Sequence, residues 1–170
     1  MTGIKSSNSL GHNLVEAIVE SPQGCRNKYK HDEARNVFTL KKSLPLGAEF
    51  PYDFGFVPGT KAQDGDPIDI MILMDAPTFT GCYVTCRVIG AIKAEQTKSK
   101  TVRNDRIIAV FDLSSTYGHI TELEQLSPAI IRQIEHFFIS YNQAEGKRFI
   151  PIGRAGTAEA MKLIEDAWVQ

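Results

Sequence analysis

The chain is short of cysteine and tryptophan, has no apolar run long enough to span a bilayer, and carries almost no net charge. Each shortage excludes something. The three cysteines (Cys25, Cys82, Cys86) are odd in number and lack a C-x-x-C pair, so neither a disulfide framework nor a structural zinc site is expected. They suit a reducing compartment. A net charge of −1 gives no bulk electrostatic case for nucleic acid or for an anionic membrane, so recognition of a charged ligand has to be local. There is no Gly-rich phosphate loop and no nucleophile elbow. No internal repeat or low-complexity tract occurs. The opening stretch MTGIKSSNSL lacks the apolar segment of a signal peptide, and residues 1–12 read as a loose tail. A cytoplasmic protein is the expectation.

What is present suits one domain, residues 1–170, with 42% hydrophobic residues to build its core. The first two thirds read as short strands with Gly and Pro punctuation. Residues 14–20 alternate, with Val15, Ala17 and Val19 on one face. Further strands are predicted at 26–30, 36–40, 51–57, 68–74, 82–92 and 107–113, with 93–105 as a polar connection. Phe50, Tyr52, Phe54 and Phe56 recur at alternate positions and read as core on one strand face, as do Cys82 and Cys86. The period then changes. In 128–142, Ile130, Ile131, Ile134, Phe137, Phe138 and Tyr141 fall at helical spacing, with Pro128 in the first turn. A second helix is expected from an N-cap at Thr157 to about Trp168. Strands first and helices last give an α+β fold, a barrel with two C-terminal helices packed on it.

The most informative segment is Asp64-Gly65-Asp66-Pro67-Ile68-Asp69. Three carboxylates this close repel one another unless a cation sits between them. Asp69 shares a strand face with Met71 and Leu73, where an ionised group needs a partner or a metal. All-oxygen ligands suit Mg²⁺ or Mn²⁺ better than zinc. A plain turn explains Gly65 and Pro67 equally well and leaves only Asp69 unexplained. An EF-hand does not fit, because its glycine position is occupied by Asp69. Arg26, Lys28 and Lys30 would share one strand face, and Lys41, Lys42, Arg103 and Arg106 add more cations. For any single lysine a solvated surface is the simpler explanation. Beside an acidic loop, the row suits a polyanion such as diphosphate. His12, His31, His119 and His136 have no convergent partners in the sequence.

The acidic segment also carries a resemblance. Its form, D-x-D-P-x-D followed by an aliphatic residue, is similar to the signature of the family I soluble inorganic pyrophosphatases. The likeness runs from about Val15 to about Ile164 and includes Asn27-Lys28-Tyr29, the segment Pro51 to Phe56, Arg87-Val88-Ile89-Gly90, the segment Asp105 to Val110, and His136-Phe137-Phe138 with Tyr141. It implies a closed OB-type β-barrel with flanking helices, Mg-dependent hydrolysis of diphosphate, and a homo-oligomer, commonly a hexamer. By position, Asp64, Asp69 and Asn104 would correspond to metal ligands, and Glu20 would line the metal site. Asp66 would help deprotonate the attacking water. Lys28, Lys42, Arg106 and Tyr141 would bind phosphate oxygens.

The departures from the family pattern cluster in the same site. Lys30 stands where glutamate is usual, Lys42 where arginine is, and Phe50 and Phe54 where tyrosines are. Asn104 replaces an aspartate, with Asp105 beside it, and Arg106 and Asn142 replace lysines. Glu95 and Gln96 are the nearest candidates for a missing acidic pair. Several carboxylates are thus exchanged for neutral or basic groups, which weakens metal binding and favours anions. Three activities stay open at this point: diphosphate hydrolysis, hydrolysis of another phosphoanhydride or phosphorylated metabolite, and phosphate or nucleotide binding without turnover.

Overall fold

The computed structural model describes residues 13–169; the predicted loose tail lies outside the described residues. The strands are β1 (Leu14–Ser21), β2 (Asn27–Asp32), β3 (Val37–Ser43), β4 (Asp53–Val57), β5 (Ile68–Leu73), β6 (Tyr83–Thr97), β7 (Thr101–Arg103), β8 (Arg106–Phe111) and β9 (Arg148–Ala155). The helices are α1 (Pro128–Gln143) and α2 (Thr157–Asp166). β1 pairs antiparallel with both β4 and β6. β4 pairs with β5, β5 runs parallel to β8, and β8 returns to β6. Five strands therefore close into a ring. β2 and β3 form a separate two-stranded ribbon. No helix among the described residues is long and apolar enough to cross a membrane.

Strand alternation divides the core into two layers. Val15, Ala17 and Val19 are buried, as their spacing predicts. They fill the inside of the ring with Ile70, Ile72, Val88, Ile107 and Ala109, and α2 adds Ala160 and Ile164 to this cluster. Cys86 and, more loosely, Cys82 belong to the same inner cluster. The outward residues of the same strands, Phe54, Met71, Leu73, Ile108 and Val110, pack against Ile131, Ile134 and Phe138 of α1. α1 forms where its spacing predicts. Ser127 caps it by accepting from the Ala129 N–H at 3.3 Å, and Pro128 occupies the first turn, where its missing N–H costs no helical bond.

Three expectations need correction. Residues 93–105 are not a polar connection: β6 runs on to Thr97, and the chain turns back as β7. The cap of α2 is Gly156 rather than Thr157. Thr157 instead turns its hydroxyl inward, donating to the Ile89 carbonyl at 3.1 Å. The helices are also not consecutive, since β9 lies between them and pairs with β6. Pro151 and Gly153 hide this strand in the sequence. Pro151 is tolerated because β9 is an edge strand and the register slips beside it, between Lys93 and Ala94.

Ring closure depends on a close backbone approach between β1 and β4. A Cβ on Gly55 would stand 1.9 Å from the Ile18 carbonyl oxygen. That oxygen is main chain in a paired strand and has no rotamer by which to move. Gly55→Ala is therefore expected to cost about 3 kcal/mol by overpacking. Urea unfolding should show a lowered midpoint; an unchanged midpoint would mean that the β1–β4 pairing tolerates separation.

Candidate anion and metal site

The acidic loop leaves β4 and re-enters the ring at β5. Thr60 fastens its base: its hydroxyl donates to the Val57 carbonyl at 2.6 Å and accepts from the Ile68 N–H at 2.9 Å. Within the loop, Asp64 Oδ1 accepts from the Asp66 N–H at 3.0 Å, and Gly65 takes φ of 89°. This is turn chemistry, so the plain-turn reading holds for Asp64. The carboxylates of Asp66 and Asp69 do something else. Asp66 Oδ2 accepts from Lys30 Nζ at 2.8 Å. Asp69 is paired with Arg106, directly across the parallel register of β5 and β8. The repulsion among three nearby carboxylates is relieved here by two of the protein's own cations.

Arg106 is almost wholly buried, and its guanidinium carbon lies 5.2 Å from the ring centre of Phe138, 5.5 Å from Phe149 and 6.0 Å from Phe54. Burial lowers its pKa to about 10, against the attraction of Tyr141, Asp64, Glu145 and Asp66. It stays protonated at neutral pH. Its Nε is shielded from solvent and has no hydrogen-bond partner among the described residues.

A second cluster lies beside it. Lys28 of β2 and Lys42 of β3 face each other across the ribbon. Two like charges opposite one another destabilise a strand pair unless something neutralises them. Glu145, just past α1, does so: its Oε1 lies 2.7 Å from Lys28 Nζ and 3.0 Å from Lys42 Nζ, and its Oε2 is 3.4 Å from Lys147 Nζ. Burial pushes the Glu145 carboxyl up, but the hydrogen bonds and charges of Lys28 and Lys42 outweigh it and hold the group at about 2. Tyr141 lies beneath these cations, with its ring centre 5.0 Å from Lys28 Nζ and 5.8 Å from Lys42 Nζ. Burial and the nearby Glu145 carboxylate raise its pKa far above the ordinary phenol value, so its hydroxyl keeps its proton. Sequence reasoning did not find Glu145. The available signal was indirect: three lysines that need one counter-charge.

The remaining candidates fall into two groups. Glu20 joins the site. Burial raises its pKa, opposed by the His31 N–H, which donates to Oε1 at 2.8 Å, and by the charges of Lys30 and Lys28. Phe54 lines the Arg106 bowl, and Phe50 stacks on Phe54 with ring centres 5.7 Å apart. Asn104, Asp105 and Asn142 are otherwise engaged, and Glu95 stands apart. Asn104 Nδ2 donates to Gln96 Oε1 at 2.8 Å. Asp105 Oδ1 accepts from the Ala94 N–H at 3.0 Å and from Arg103 Nε at 2.6 Å. Glu95 is exposed on β6, opposite Arg103 in the strand register. Asn142 is buried and donates to the Phe138 carbonyl at 2.8 Å.

The donor set Asp64, Asp66, Asp69 and Glu20 is all-oxygen and has the chemistry of a hard divalent cation site. Among the described residues, no three acidic, His or Cys side chains are gathered to hold a metal ion. Asp64 Oδ2, Asp66 Oδ1, Asp69 Oδ1 and Glu20 Oε2 take part in no hydrogen bond or ion pair among the described residues, so each keeps lone pairs for a cation.

The chain is similar to known proteins in both sequence and fold. The family described as inorganic pyrophosphatase matches residues 17–170. The inorganic pyrophosphatase of Methanosarcina acetivorans is 34% identical over 154 residues, covering 91% of this chain and 90% of that one. That of a Synechocystis species is 34% identical over 153 residues, covering 90% and 89%. Among solved structures, the inorganic phosphatase from Anaplasma phagocytophilum has a TM-score of 0.87 at 27% identity, covering 97% of this chain and 96% of that one. The Thermus thermophilus inorganic pyrophosphatase has a TM-score of 0.86 at 27% identity, covering 97% and 93%.

The geometry makes two stability predictions. Asp69→Asn should cost about 3 kcal/mol, because the buried Arg106 guanidinium loses its counter-charge. Arg106→Met in the same background should recover most of that loss in urea unfolding; additive losses would show that the pair is not the cause. Glu145 acts through pH. Its folded value lies below the ordinary 4.5, so its contribution is complete above that pH and disappears as pH falls toward about 2. Glu145→Gln should remove this part of the acid slope, read as unfolding midpoint against pH.

Proposed function

This chain belongs to the inorganic pyrophosphatase family, and on that premise we propose that it hydrolyses inorganic diphosphate to two phosphates. The observation that carries the proposal is the meeting of two clusters: Lys28, Lys42 and Tyr141 stand beside an acidic loop whose Asp69 holds Arg106. Lys28 and Lys42 bind phosphoryl oxygens as point charges, and the buried Arg106 guanidinium adds positive charge behind them. Tyr141, held protonated, donates its hydroxyl. Together these groups fix the diphosphate in line for attack.

Asp66 is the proton acceptor, through the Oδ1 that Lys30 leaves free. The water oxygen bonds to one phosphorus as its proton passes to Asp66. The bridging P–O bond breaks, and its electron pair leaves with the other phosphate. A divalent cation, Mg²⁺ or Mn²⁺, held by Asp64 and Asp69 with Glu20 alongside, would supply Lewis acidity and neutralise the leaving group. Asn104, a ligand by family position, is not among them, because its side chain is buried against Gln96. Family membership also supports reading the five-strand ring as an OB-type barrel and the chain as a cytoplasmic homo-oligomer, a hexamer. The exposed apolar side chains of Leu46, Phe79 and Leu113 suit burial between subunits.

One observation favours a second reading, a phosphate binder or a hydrolase of another phosphorylated compound. Lys30 Nζ, 2.8 Å from Asp66 Oδ2, ties up one oxygen of the carboxylate assigned as the base and adds a cation where an anion can bind. Phosphate release from diphosphate, with and without Mg²⁺ or Mn²⁺ and alongside a panel of nucleotides and sugar phosphates, separates the readings. Diphosphate should turn over, and Asp66→Asn should slow it about 100-fold or more. Turnover that survives this substitution would defeat the assigned base. Binding of diphosphate without turnover would establish the second reading.

A further inference from the structure

We propose that Glu145 is a built-in competitor for the phosphate site: its carboxylate occupies the Lys28–Lys42 pair when no phosphate is bound and sets how tightly phosphate is held. The inference rests on the phosphate-binding role given above to those two lysines, and not on turnover.

Glu145 Oε1 lies between two ammonium groups, 2.7 Å from Lys28 Nζ and 3.0 Å from Lys42 Nζ. That is where an oxygen of a phosphoryl group would have to sit to reach both lysines. The two lysines are cross-strand neighbours, so they present one site rather than two. Lys147, 3.4 Å from Oε2, holds the carboxylate from its other side. The cluster therefore keeps excess positive charge even with Glu145 in place, and an incoming phosphate is attracted to it.

The backbone around Glu145 is held by main-chain hydrogen bonds in which its side chain takes no part. The N–H groups of Glu145 and Lys147 both donate to the Asn142 carbonyl at 2.9 Å, and Gly146, with φ of 71°, completes the turn. The carboxylate can leave the lysines by side-chain rotation alone, with every backbone hydrogen bond kept. The three lysines and Glu145 are all partly open to solvent, which gives the displaced group somewhere to go. Phosphate must then replace one anion with another, so its net affinity is lower than the bare lysine pair would give. A hydrolase benefits from this arrangement, since its product leaves more readily.

The test is calorimetric titration of inorganic phosphate and diphosphate into the full chain, once with a chelator and once with Mg²⁺. Glu145→Gln keeps the shape and removes the charge, and it should bind phosphate about ten-fold more tightly. Glu145→Ala should move the same way. Glu145→Asp, which retains the charge, should stay within about two-fold of the parent, and Lys28→Ala should lose binding. In turnover, Glu145→Gln should lower KM for diphosphate and lower kcat with it, as product release slows. Unchanged or weaker phosphate binding in the Gln and Ala variants would overturn the inference and leave Glu145 as a packing residue. If diphosphate is not hydrolysed but both variants bind phosphate more tightly, the proposed activity fails and this inference stands. If diphosphate is hydrolysed and neither variant changes affinity, the inference fails alone.

Discussion

The ion pair between Asp69 and Arg106 joins the ring to the site. Its partners face each other on adjacent parallel strands and point to the outer surface, where α1 packs. Arg106 is buried among Phe54, Phe138 and Phe149 and is not free to leave. A charge in that bowl needs an anion beside it, and Asp69 is the one the register supplies. The acidic loop must then enter β5 where Asp69 reaches Arg106, and Thr60 fixes that entry. The aromatic bowl, the loop and the buried cation depend on one another through this contact.

Charge balance describes the rest of the site. Each cationic side chain at its centre has a named counter-charge: Arg106 has Asp69, Lys30 has Asp66, and Lys28 and Lys42 share Glu145. A near-neutral chain thereby holds a dense group of cations ready for an anion. The same balance shields the acidic loop and leaves one oxygen each of Asp64, Asp66 and Asp69 without a partner among the described residues. An anion and a divalent cation bound here would draw on one electrostatic network, and changing either side of it would change both.

Much of the fold was legible because burial follows period. The alternation at Val15, Ala17 and Val19 and the helical spacing of Ile131, Ile134 and Phe138 predicted elements that the structure contains. β9 was not legible, because Pro151 and Gly153 read as a break and an edge strand needs little apolar patterning. The far half of β6 was missed for a related reason, since Lys93, Glu95 and Gln96 present a polar outer edge. The acidic segment was visible, but its neighbours were not. Which cation meets which carboxylate is set by cross-strand register and by where the chain leaves α1. Glu145 reaches Lys28 across 117 residues of sequence. No local pattern encodes such a contact.

β9 also fixes an order of assembly. The central strand β6 is paired along its later half by a strand that arrives about fifty residues later in the chain. Phe149, which completes the bowl around Arg106, lies on β9, and Glu145 lies in the turn that leads into it. A chain emerging from the ribosome can close its ring once β8 has appeared, but the bowl and the lysine cluster stay unfinished until β9 docks. Pairings this distant in sequence form late and slowly. During that interval Arg106 lacks first the Phe138 and then the Phe149 wall, and Lys28 and Lys42 face each other without their counter-charge. The structure thus delays the finished bowl and lysine cluster until nearly the whole domain has been made.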